Sequence, residues 1–374
     1  MNNSPIDQVK KIAILRANGL GDFIVTLPAI KAIRDAYPAA ELVMLAKPWH
    51  KNFLEKGRTP VDRVEVVPVL KHIREDIGEE ENQDELNVFF QKMKNEQFDI
   101  AVHFQGKGSA ANQFLNKLNA RLTAGHSCNE AEMIDRSIPY YYYQNEIIRF
   151  LEVAKLIGAT AFDLEPEIIL LEKDKQESLQ FMTEQNLKKP FIIFHASAMD
   201  QRRVWPAEKF AALGNILSKK GFTIVFSGIR EEMDVINKVR LQMKYPSVDS
   251  VSKLSLGGLA SLMQDSELVI SNDTGPLHLA QAVKAKTVGI YWAPNIINWA
   301  PVVRDNHRPV ISWNLPCSLC GEIPNDPYPF QPQNDCKHEI SFVKDISIDQ
   351  VLNEINYLVR APKRKSLKQL NEPA

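Results

Sequence analysis

The chain has 374 residues, of which 44% are hydrophobic and 24% charged, and its formal net charge is −1 at pH 7. The length predicts two domains, and the near-neutral charge argues against nucleic acid as a partner. Residues 1–11 are polar and contain no signal-peptide core, and no apolar run is long enough to span a membrane, so we expect a cytoplasmic protein. Four cysteines in a chain of this length do not form a disulfide framework.

Predicted strands and helices alternate in the first half of the chain. The predicted strands are 11–15, 41–46, 64–69 and 99–104, and the predicted helices are 23–37, 75–97 and 146–157. This alternation predicts a parallel, doubly wound α/β sheet, whose ligands bind beyond the carboxyl ends of the strands. Four consecutive tyrosines, 140–143, precede the last of these helices. They are interpreted as ordinary core and surface residues or as an aromatic wall facing an acceptor.

A glycine-containing turn follows the first predicted strand. Gly19 and Gly21 suggest a dinucleotide fingerprint, but Ile24 occupies the third glycine position of that motif. Asp22 lies where the turn becomes a helix. It is interpreted either as a capping residue or, with Arg16 and the two glycines beside it, as a general base.

Periodicity breaks around residues 158–172, and a second alternation follows. Strands are predicted over 191–194, 222–226, 268–270 and 287–291, and helices over 206–219, after Gly228 and over 348–358. We therefore predict domains of residues 1–165 and 166–346, followed by a C-terminal helix and basic tail over 347–374. The tail contains Lys363, Arg364, Lys365 and Lys368. Such tails are either disordered and without function or attracted to anionic lipid head groups.

The segment Ser271–His278 joins a buried strand to a helix. Pro276 suits the first helical position, and Asp273 or Thr274 can cap the free amides before it. A helix N-terminus of this kind is a seat for phosphate or simply an ordinary capped helix.

A second polar loop follows the strand that ends at Phe194. It contains His195, Ser197, Arg202 and Arg203, and two arginines near a helix N-terminus can clamp a diphosphate or be plain surface charge. Glu231 can bind ribose hydroxyls or lie on a solvated helix face. There is no Asp-x-Asp motif to hold a divalent metal, so the arginines and the helix dipole would supply the positive charge.

Together these segments resemble glycosyltransferase family 9, the lipopolysaccharide heptosyltransferase family. The matching segments, in chain order over about residues 11–358, are Ile14–Arg16, Leu20–Asp22, Leu27–Ile30, His195–Ser197, Arg203–Pro206 and Ser271–Leu279. The resemblance implies a GT-B fold, with two Rossmann-like domains facing each other across a cleft. The N-terminal domain would bind the acceptor and the C-terminal domain the nucleotide sugar.

The resemblance also implies an inverting enzyme that requires no cofactor or metal for catalysis. Its donor would be a nucleotide-diphosphate sugar, most often ADP-heptose, and its acceptor the lipopolysaccharide core or a similar saccharide or glycolipid at the inner membrane face. Other donors, a protein acceptor, a nucleotide-sugar-binding protein without transferase activity and a nucleotide-sugar epimerase are the alternatives. The epimerase would need more acid and base carboxylates than the sequence offers.

Residue roles follow from the same resemblance. Asp22 would be the general base, with Arg16, Gly19 and Gly21 on the acceptor side. The donor would be held by Ser197, Arg202 or Arg203, Glu231, Asp273, Thr274, Gly275 and His278, among which Asp273 contacts the sugar or orders its loop and His278 supports that loop. The loop that begins at His195 departs from the family pattern in three ways. Arg202 and Arg203 are both candidates for a position that is usually lysine in the family, and the loop is one residue longer than in close heptosyltransferases. Ala198 occupies a position where a second hydroxyl residue is common.

A cysteine cluster lies near the C-terminus. Cys317 and Cys320 have the spacing of half a zinc or iron site, and Cys336 and His338 could complete it. The alternatives are reduced thiols in a surface loop or a disulfide. Cys128 is interpreted as a buried small residue.

Overall fold

The structure is a computed structural model that describes residues 5–161, 163–323 and 336–360. Within these residues the chain forms twelve strands and thirteen helices. The strands are β1 (Lys11–Leu15), β2 (Glu41–Ala46), β3 (Arg63–Val66), β4 (Ile100–His103), β5 (Leu122–Ser127), β6 (Arg136–Pro139), β7 (Phe191–His195), β8 (Thr223–Phe226), β9 (Ser247–Asp249), β10 (Leu268–Asn272), β11 (Thr287–Trp292) and β12 (His307–Ser312). The helices are α1 (Leu20–Ile24), α2 (Leu27–Ala36), α3 (Pro48–Phe53), α4 (Gln83–Asn95), α5 (Ala111–Lys117), α6 (Glu146–Leu156), α7 (Glu172–Glu184), α8 (Ala207–Lys219), α9 (Met233–Gln242), α10 (Leu256–Asp265), α11 (Gly275–Ala282), α12 (Ala293–Trp299) and α13 (Ile348–Arg360).

The strands form two six-stranded parallel sheets with the same topology. The first sheet has the order β3-β2-β1-β4-β5-β6, and the second has the order β9-β8-β7-β10-β11-β12. In both sheets the order reverses between the first and the fourth strand, and such a reversal opens a crevice for ligands at the carboxyl ends of the strands. This arrangement confirms the doubly wound α/β architecture and the GT-B fold.

The central strands are buried on both faces because they are continuously apolar. Ile12, Ile14 and Leu15 in β1 and Ile192, Ile193 and Phe194 in β7 are fully buried, as expected for parallel strands that are covered by helices on both sides. One apolar core continues from helix α2 of the first sheet to helices α10 and α11 of the second. Because α1 packs on α11, the loops that follow β1 and β10 come together.

Several predicted elements need correction. The predicted helix 75–97 begins only at Gln83, because the side chain of Asn82 accepts hydrogen bonds from the amides of Asp84 and Glu85 and the preceding residues form turns. The predicted helix 23–37 is two helices, and the second has Pro28 in its first turn. Strand β10 is longer than predicted, since it includes the first two residues of the segment Ser271–His278.

The two sheets are built by residues 11–139 and 191–312, and the domain limits at residues 165 and 346 stay a prediction. The predicted C-terminal helix is α13, whereas the basic residues 363–368 lie outside the described residues. Among the described helices, none is both long enough and apolar enough to cross a lipid bilayer.

Candidate active site

Asp22 lies at the carboxyl edge of the first sheet, in the first turn of α1. Its Oδ1 atom is 2.8 Å from Nη2 of Arg16, and its Oδ2 atom accepts a hydrogen bond of 3.1 Å from the amide of Gly19. Arg16 also donates to the carbonyl of Asp22 and to that of Phe104, and it is almost completely buried. The Asp22 side chain remains 32% exposed. A fixed guanidinium therefore orients a carboxylate that solvent can still reach.

Asp273 lies at the end of β10 and is almost completely buried. Its Oδ2 atom accepts a 2.8 Å hydrogen bond from Asn295, and its carbonyl accepts one of 3.2 Å from Nη1 of Arg203. Nε2 of His278 is 3.7 Å from its Oδ1 atom. These partners tie the Asp273 side chain into the loop from three directions.

Thr274 occupies the N-cap position of α11. The prediction that its side chain could cap the helix is wrong, because the side chain forms no hydrogen bond to the first amides. Its hydroxyl bonds to the carbonyl of Asn272 and approaches the hydroxyl of Ser271 instead. Asp273 does not cap the helix either, because its carboxylate is held by Asn295. The first amides of a helix have no partner within the helix. Pro276, which was predicted at the first helical position, is the second residue of α11, because the helix already begins at Gly275, and it has no N–H to offer. The amide of Gly275 thus heads a helix that carries a positive dipole end.

The first turns of α1 and α11 touch through two glycines. A Cβ atom on Gly21 would lie 2.8 Å from Cδ2 of His278 and 3.5 Å from Cα of Gly275. A Cβ atom on Gly275 would lie 3.0 Å from Cβ of Leu20. The absence of side chains at these positions therefore allows the Asp22 loop and the Asp273 loop to approach each other closely.

Asn272, which no motif singled out as a site residue, joins the β7 loop to the β10 loop. Its Oδ1 atom accepts a hydrogen bond of 3.0 Å from the amide of Trp205, and its Nδ2 donates to the carbonyl of Ser197 at 3.3 Å. The Ser197 hydroxyl is buried beside Nε2 of His195, at 3.4 Å. Burial lowers the pKa of His195 despite the nearby Glu232 carboxylate, so this imidazole is neutral at pH 7.

The two neighbouring arginines of this loop point to different partners. Arg202 forms a bidentate ion pair with Asp200, with Nε–Oδ1 at 2.9 Å and Nη2–Oδ2 at 3.0 Å, and donates to the carbonyl of Cys336. Arg203 instead extends toward the Asp273 loop. The structure thus brings Arg203, rather than Arg202, to the loop that precedes α11.

Glu231 lies apart from these residues. It belongs to a 3-10 turn, residues 230–232, that precedes α9, and it is exposed. Among the described residues its side chain forms no hydrogen bond or ion pair. The next residue, Glu232, is only partly exposed, and its Oε1 atom is 3.9 Å from Nε2 of His195. In the sequence, Glu232 stood out only as a neighbour of Glu231.

Comparison with protein-family models identifies the family of this chain. The model of "Glycosyltransferase family 9 (heptosyltransferase)" matches residues 87–326, which is more than half of the chain. The chain belongs to glycosyltransferase family 9. It is therefore a glycosyltransferase, as the motifs predicted.

Individual members of the family are distant from this glycosyltransferase. It is 21% identical over 299 residues to the lipopolysaccharide core heptosyltransferase OpsX of Haemophilus influenzae, with 78% of the chain and 82% of the relative covered. It matches the structure of Escherichia coli ADP-heptose lipopolysaccharide heptosyltransferase II with a TM-score of 0.67 and 17% identity, covering 94% and 98% of the two chains. It also matches the dodecameric iron-containing heptosyltransferase TibC of E. coli, in complex with ADP-D-β-D-heptose, with a TM-score of 0.53 and 12% identity, covering 95% and 77%.

The glycosyltransferase has a second carboxylate near Asp22 that was not predicted from the sequence. Glu146 opens α6, is 6% exposed, and its Oε1 atom is 3.0 Å from Nε of the fully buried Arg149. The pKa of Glu146 is raised, chiefly because the carboxyl group is buried. The positive charges of Arg149 and Arg16 oppose this shift, and the negative charge of Asp22 adds to it. The guanidinium of Arg149 stacks on Tyr140, whereas tyrosines 141–143 are exposed. Only the packing of these elements reveals Glu146, because no motif surrounds it.

The four residues predicted as metal ligands come together in this glycosyltransferase. The sulfur atoms of Cys317, Cys320 and Cys336 and a ring nitrogen of His338 all lie within 4.8 Å of one another. Cys336 lies 3.3 Å from His338, and the sulfur atoms of Cys320 and Cys336 are 3.5 Å apart. All four cysteines of the chain are free thiols, which contradicts the disulfide alternative, and Cys128 is half-buried rather than buried as predicted.

Proposed function

We propose that the chain transfers a heptose from ADP-heptose to a lipopolysaccharide core saccharide, with inversion at the anomeric carbon. The observation that carries the proposal is the approach of an oriented carboxylate, Asp22, to the N-terminus of α11 through the contact of Gly21 with Gly275. A base and a diphosphate seat are the two parts that inverting transfer requires. The similarity to OpsX and to heptosyltransferase II supports the donor and the acceptor class.

On the acceptor side, Asp22 acts as the general base. Arg16 and the amide of Gly19 hold both carboxylate oxygens, so that a remaining lone pair can face an acceptor hydroxyl. Asp22 removes the proton as that oxygen attacks the anomeric carbon on the face opposite the diphosphate. The new glycosidic bond forms while the bond from carbon to the phosphate oxygen breaks, and ADP leaves with the electron pair.

On the donor side, the charge of the departing diphosphate is stabilised by fixed donors. Arg203, the hydroxyl of Ser197 and the amides of Thr274 and Gly275 are the groups proposed here. Arg202 is already paired with Asp200, which favours Arg203 for the phosphate contact. Asp273 and His278 order the loop, because Asp273 is enclosed by Asn295, Arg203 and His278.

The turn at residues 230–232 is proposed to bind the ribose. Glu231 is exposed and free to accept hydrogen bonds from ribose hydroxyls, whereas Glu232 already accepts one from the amide of Ile229. If Glu231 holds the ribose, Glu231→Gln weakens ADP binding and leaves the turnover of bound donor unchanged. If Glu232→Gln has that effect instead, the assignment passes to Glu232.

The Asp22→Asn variant tests the mechanism. A lost general base lowers the transfer rate by about 10²–10⁴-fold, while the affinity for ADP measured by calorimetry stays within a few-fold of wild type. Asp35→Asn is the matched control, because Asp35 pairs with Lys31 on the surface and is remote from the loops. Near wild-type turnover of Asp22→Asn would refute the mechanism.

A thermal-shift series with ADP-, UDP-, GDP- and CDP-sugars tests the identity of the donor. Stabilisation of the chain by a sugar other than the ADP compound would contradict the donor assignment.

We also propose that the cysteine cluster binds a structural iron or zinc ion. Zinc–sulfur bonds of about 2.3 Å in a tetrahedron give sulfur–sulfur distances of about 3.8 Å, near the 3.5 Å between Cys320 and Cys336. The similarity to TibC, an iron-containing heptosyltransferase, supports a metal at this donor set. Elemental analysis of the purified chain should find one equivalent of iron or zinc that Cys320→Ser and Cys336→Ser lose. A metal-free wild-type chain, purified from metal-supplemented cells, would overturn this proposal.

A further inference from the structure

The cysteine cluster is connected to the donor loop by a row of hydrogen bonds. Nη1 of Arg202 donates to the carbonyl of Cys336 at 3.3 Å, and the amide of Phe342 donates to the carbonyl of Arg202 at 2.8 Å. Two further bonds join the same segments, from the Ser341 hydroxyl to the carbonyl of Val204 at 2.6 Å and from the Trp205 indole to the carbonyl of Ile346 at 3.0 Å. Residues 202–205 therefore lie directly against residues 336–346.

These bonds lead from one proposed metal ligand to the proposed phosphate contact. Cys336 is a member of the cluster, its carbonyl binds Arg202, and the next residue, Arg203, donates to the carbonyl of Asp273. Cys336, Cys317 and Trp205 also share one buried apolar core, so movement of the cluster is transmitted by packing as well. The bidentate pairing with Asp200 fixes the guanidinium plane of Arg202, which makes it a stiff connection rather than a loose one.

We propose that Arg202 is a positioning residue that couples metal occupancy of the Cys317–Cys320–Cys336–His338 cluster to the affinity of the Arg203 loop for the donor diphosphate. The inference rests on the proposed metal site and the proposed ADP site. With the ion bound, Cys336 is held in place, and Arg202 then holds Arg203 over the Asp273 loop. Without the ion, Cys336 is released, Arg203 samples more positions, and the diphosphate binds more weakly.

The test measures ADP affinity by calorimetry on the full chain, with its metal bound and after removal by a chelator, alongside metal content by elemental analysis. For the wild type we expect removal of the metal to weaken ADP binding by about tenfold. In Arg202→Met the metal content should stay at the wild-type level, ADP binding should already be weakened, and removal of the metal should change it less than twofold. Arg202→Lys, which keeps the charge but cannot form the bidentate contact, should behave in the same way if the methionine variant folds poorly.

Arg203→Met tests the last step of this path. It removes the phosphate contact itself, so ADP binding weakens, and metal removal should then change it less than twofold, because the effect of the ion reaches the diphosphate through Arg203. If Arg202→Met responds to metal removal as strongly as the wild type does, or if the metal-free wild type binds ADP as tightly as the loaded chain, the inference is wrong. A chain that binds no metal refutes both the inference and the metal site, and one that binds metal but not ADP refutes the proposed donor.

Discussion

Replacing Gly21 with alanine tests the contact between α1 and α11. The added methyl carbon would lie 2.8 Å from Cδ2 of His278, whereas ordinary contact begins at 3.4 Å. One of the two helices, or the imidazole, must therefore move by about 0.6 Å. His278 cannot turn away easily, because it is 4% exposed and lies beside Asp273 and the ring of Trp299.

The expected cost follows from this geometry. An extra methyl in a well-packed site costs about 1–3 kcal/mol, and the better helix propensity of alanine offsets up to about 1 kcal/mol in the short helix α1. We expect Gly21→Ala to lose about 1–2 kcal/mol of unfolding free energy. Since displacements of this order misalign reacting groups, kcat/KM for sugar transfer should fall by about 10–100-fold.

Urea unfolding and a transfer assay measure the two effects, with Gly214→Ala as the control. A methyl group at Gly214 in α8 would meet the flexible end of Met243 at 3.0 Å, which can swing aside, so this variant should stay within about 0.5 kcal/mol of wild type. In a His278→Ala background the penalty of Gly21→Ala should disappear, because the ring that the methyl meets is gone. An equal penalty in both backgrounds, or no penalty in either, would refute the proposed contact.

Two further predictions concern stability. Asp174→Ala should cost about 3–5 kcal/mol in urea unfolding, because it leaves Arg58 buried without the carboxylate that now binds it at 2.7 and 2.9 Å. The combined Arg58→Met and Asp174→Leu change should restore near wild-type stability. A mild effect of Asp174→Ala alone would contradict a buried ion pair. Burial lowers the pKa of His103 to about 4 and those of His50 and His126 to about 3, so the folded chain keeps them neutral while the unfolded chain protonates them below its pKa of 6.5. The stability that these neutral histidines contribute is complete above pH 6.5 and is lost as the pH falls from there toward 4. The unfolding free energy then decreases by up to about 1.4 kcal/mol per histidine per pH unit. An unfolding free energy that does not decrease between pH 6.5 and 5 would show that these imidazoles are not held neutral.

The three loops of the candidate site could be found in the sequence because each follows an apolar strand directly. Strand and loop are local features, and in a parallel sheet the carboxyl ends of strands meet at one edge, so Asp22, Ser197 and Asp273 could be placed at sheet edges before any contact was known. Strands β6 and β12 were not predicted, because they lack such an apolar run. Strand β6 is half-exposed and four residues long, and β12 contains Pro309, so neither has the continuous apolar run that identifies a buried strand.

Contacts between distant segments account for what the sequence could not reveal. Arg202 and Arg203 are adjacent and identical in type, and only their partners distinguish them. One of these partners, the carbonyl of Cys336, is 134 residues away. In the same way, the capping role expected for Thr274 failed because its hydroxyl found the carbonyl of Asn272, and the second carboxylate, Glu146, reached the site through the packing of α6.

The repeated topology places the two groups of residues to which we assign different tasks, the proposed base and the proposed phosphate seat, side by side. Each sheet has one reversal in its strand order, and the loops at the two reversals carry groups of opposite charge. The first contributes Asp22, a carboxylate whose own cation, Arg16, is buried behind it; the second contributes the α11 N-terminus and Arg203, which remains 29% exposed. A carboxylate beside a diphosphate would be repelled unless fixed positive charge lies between or around them. Because Gly21 and Gly275 hold these two edges in contact, Arg16 and Arg203 would offset the repulsion between the proposed base and a diphosphate bound at the proposed seat.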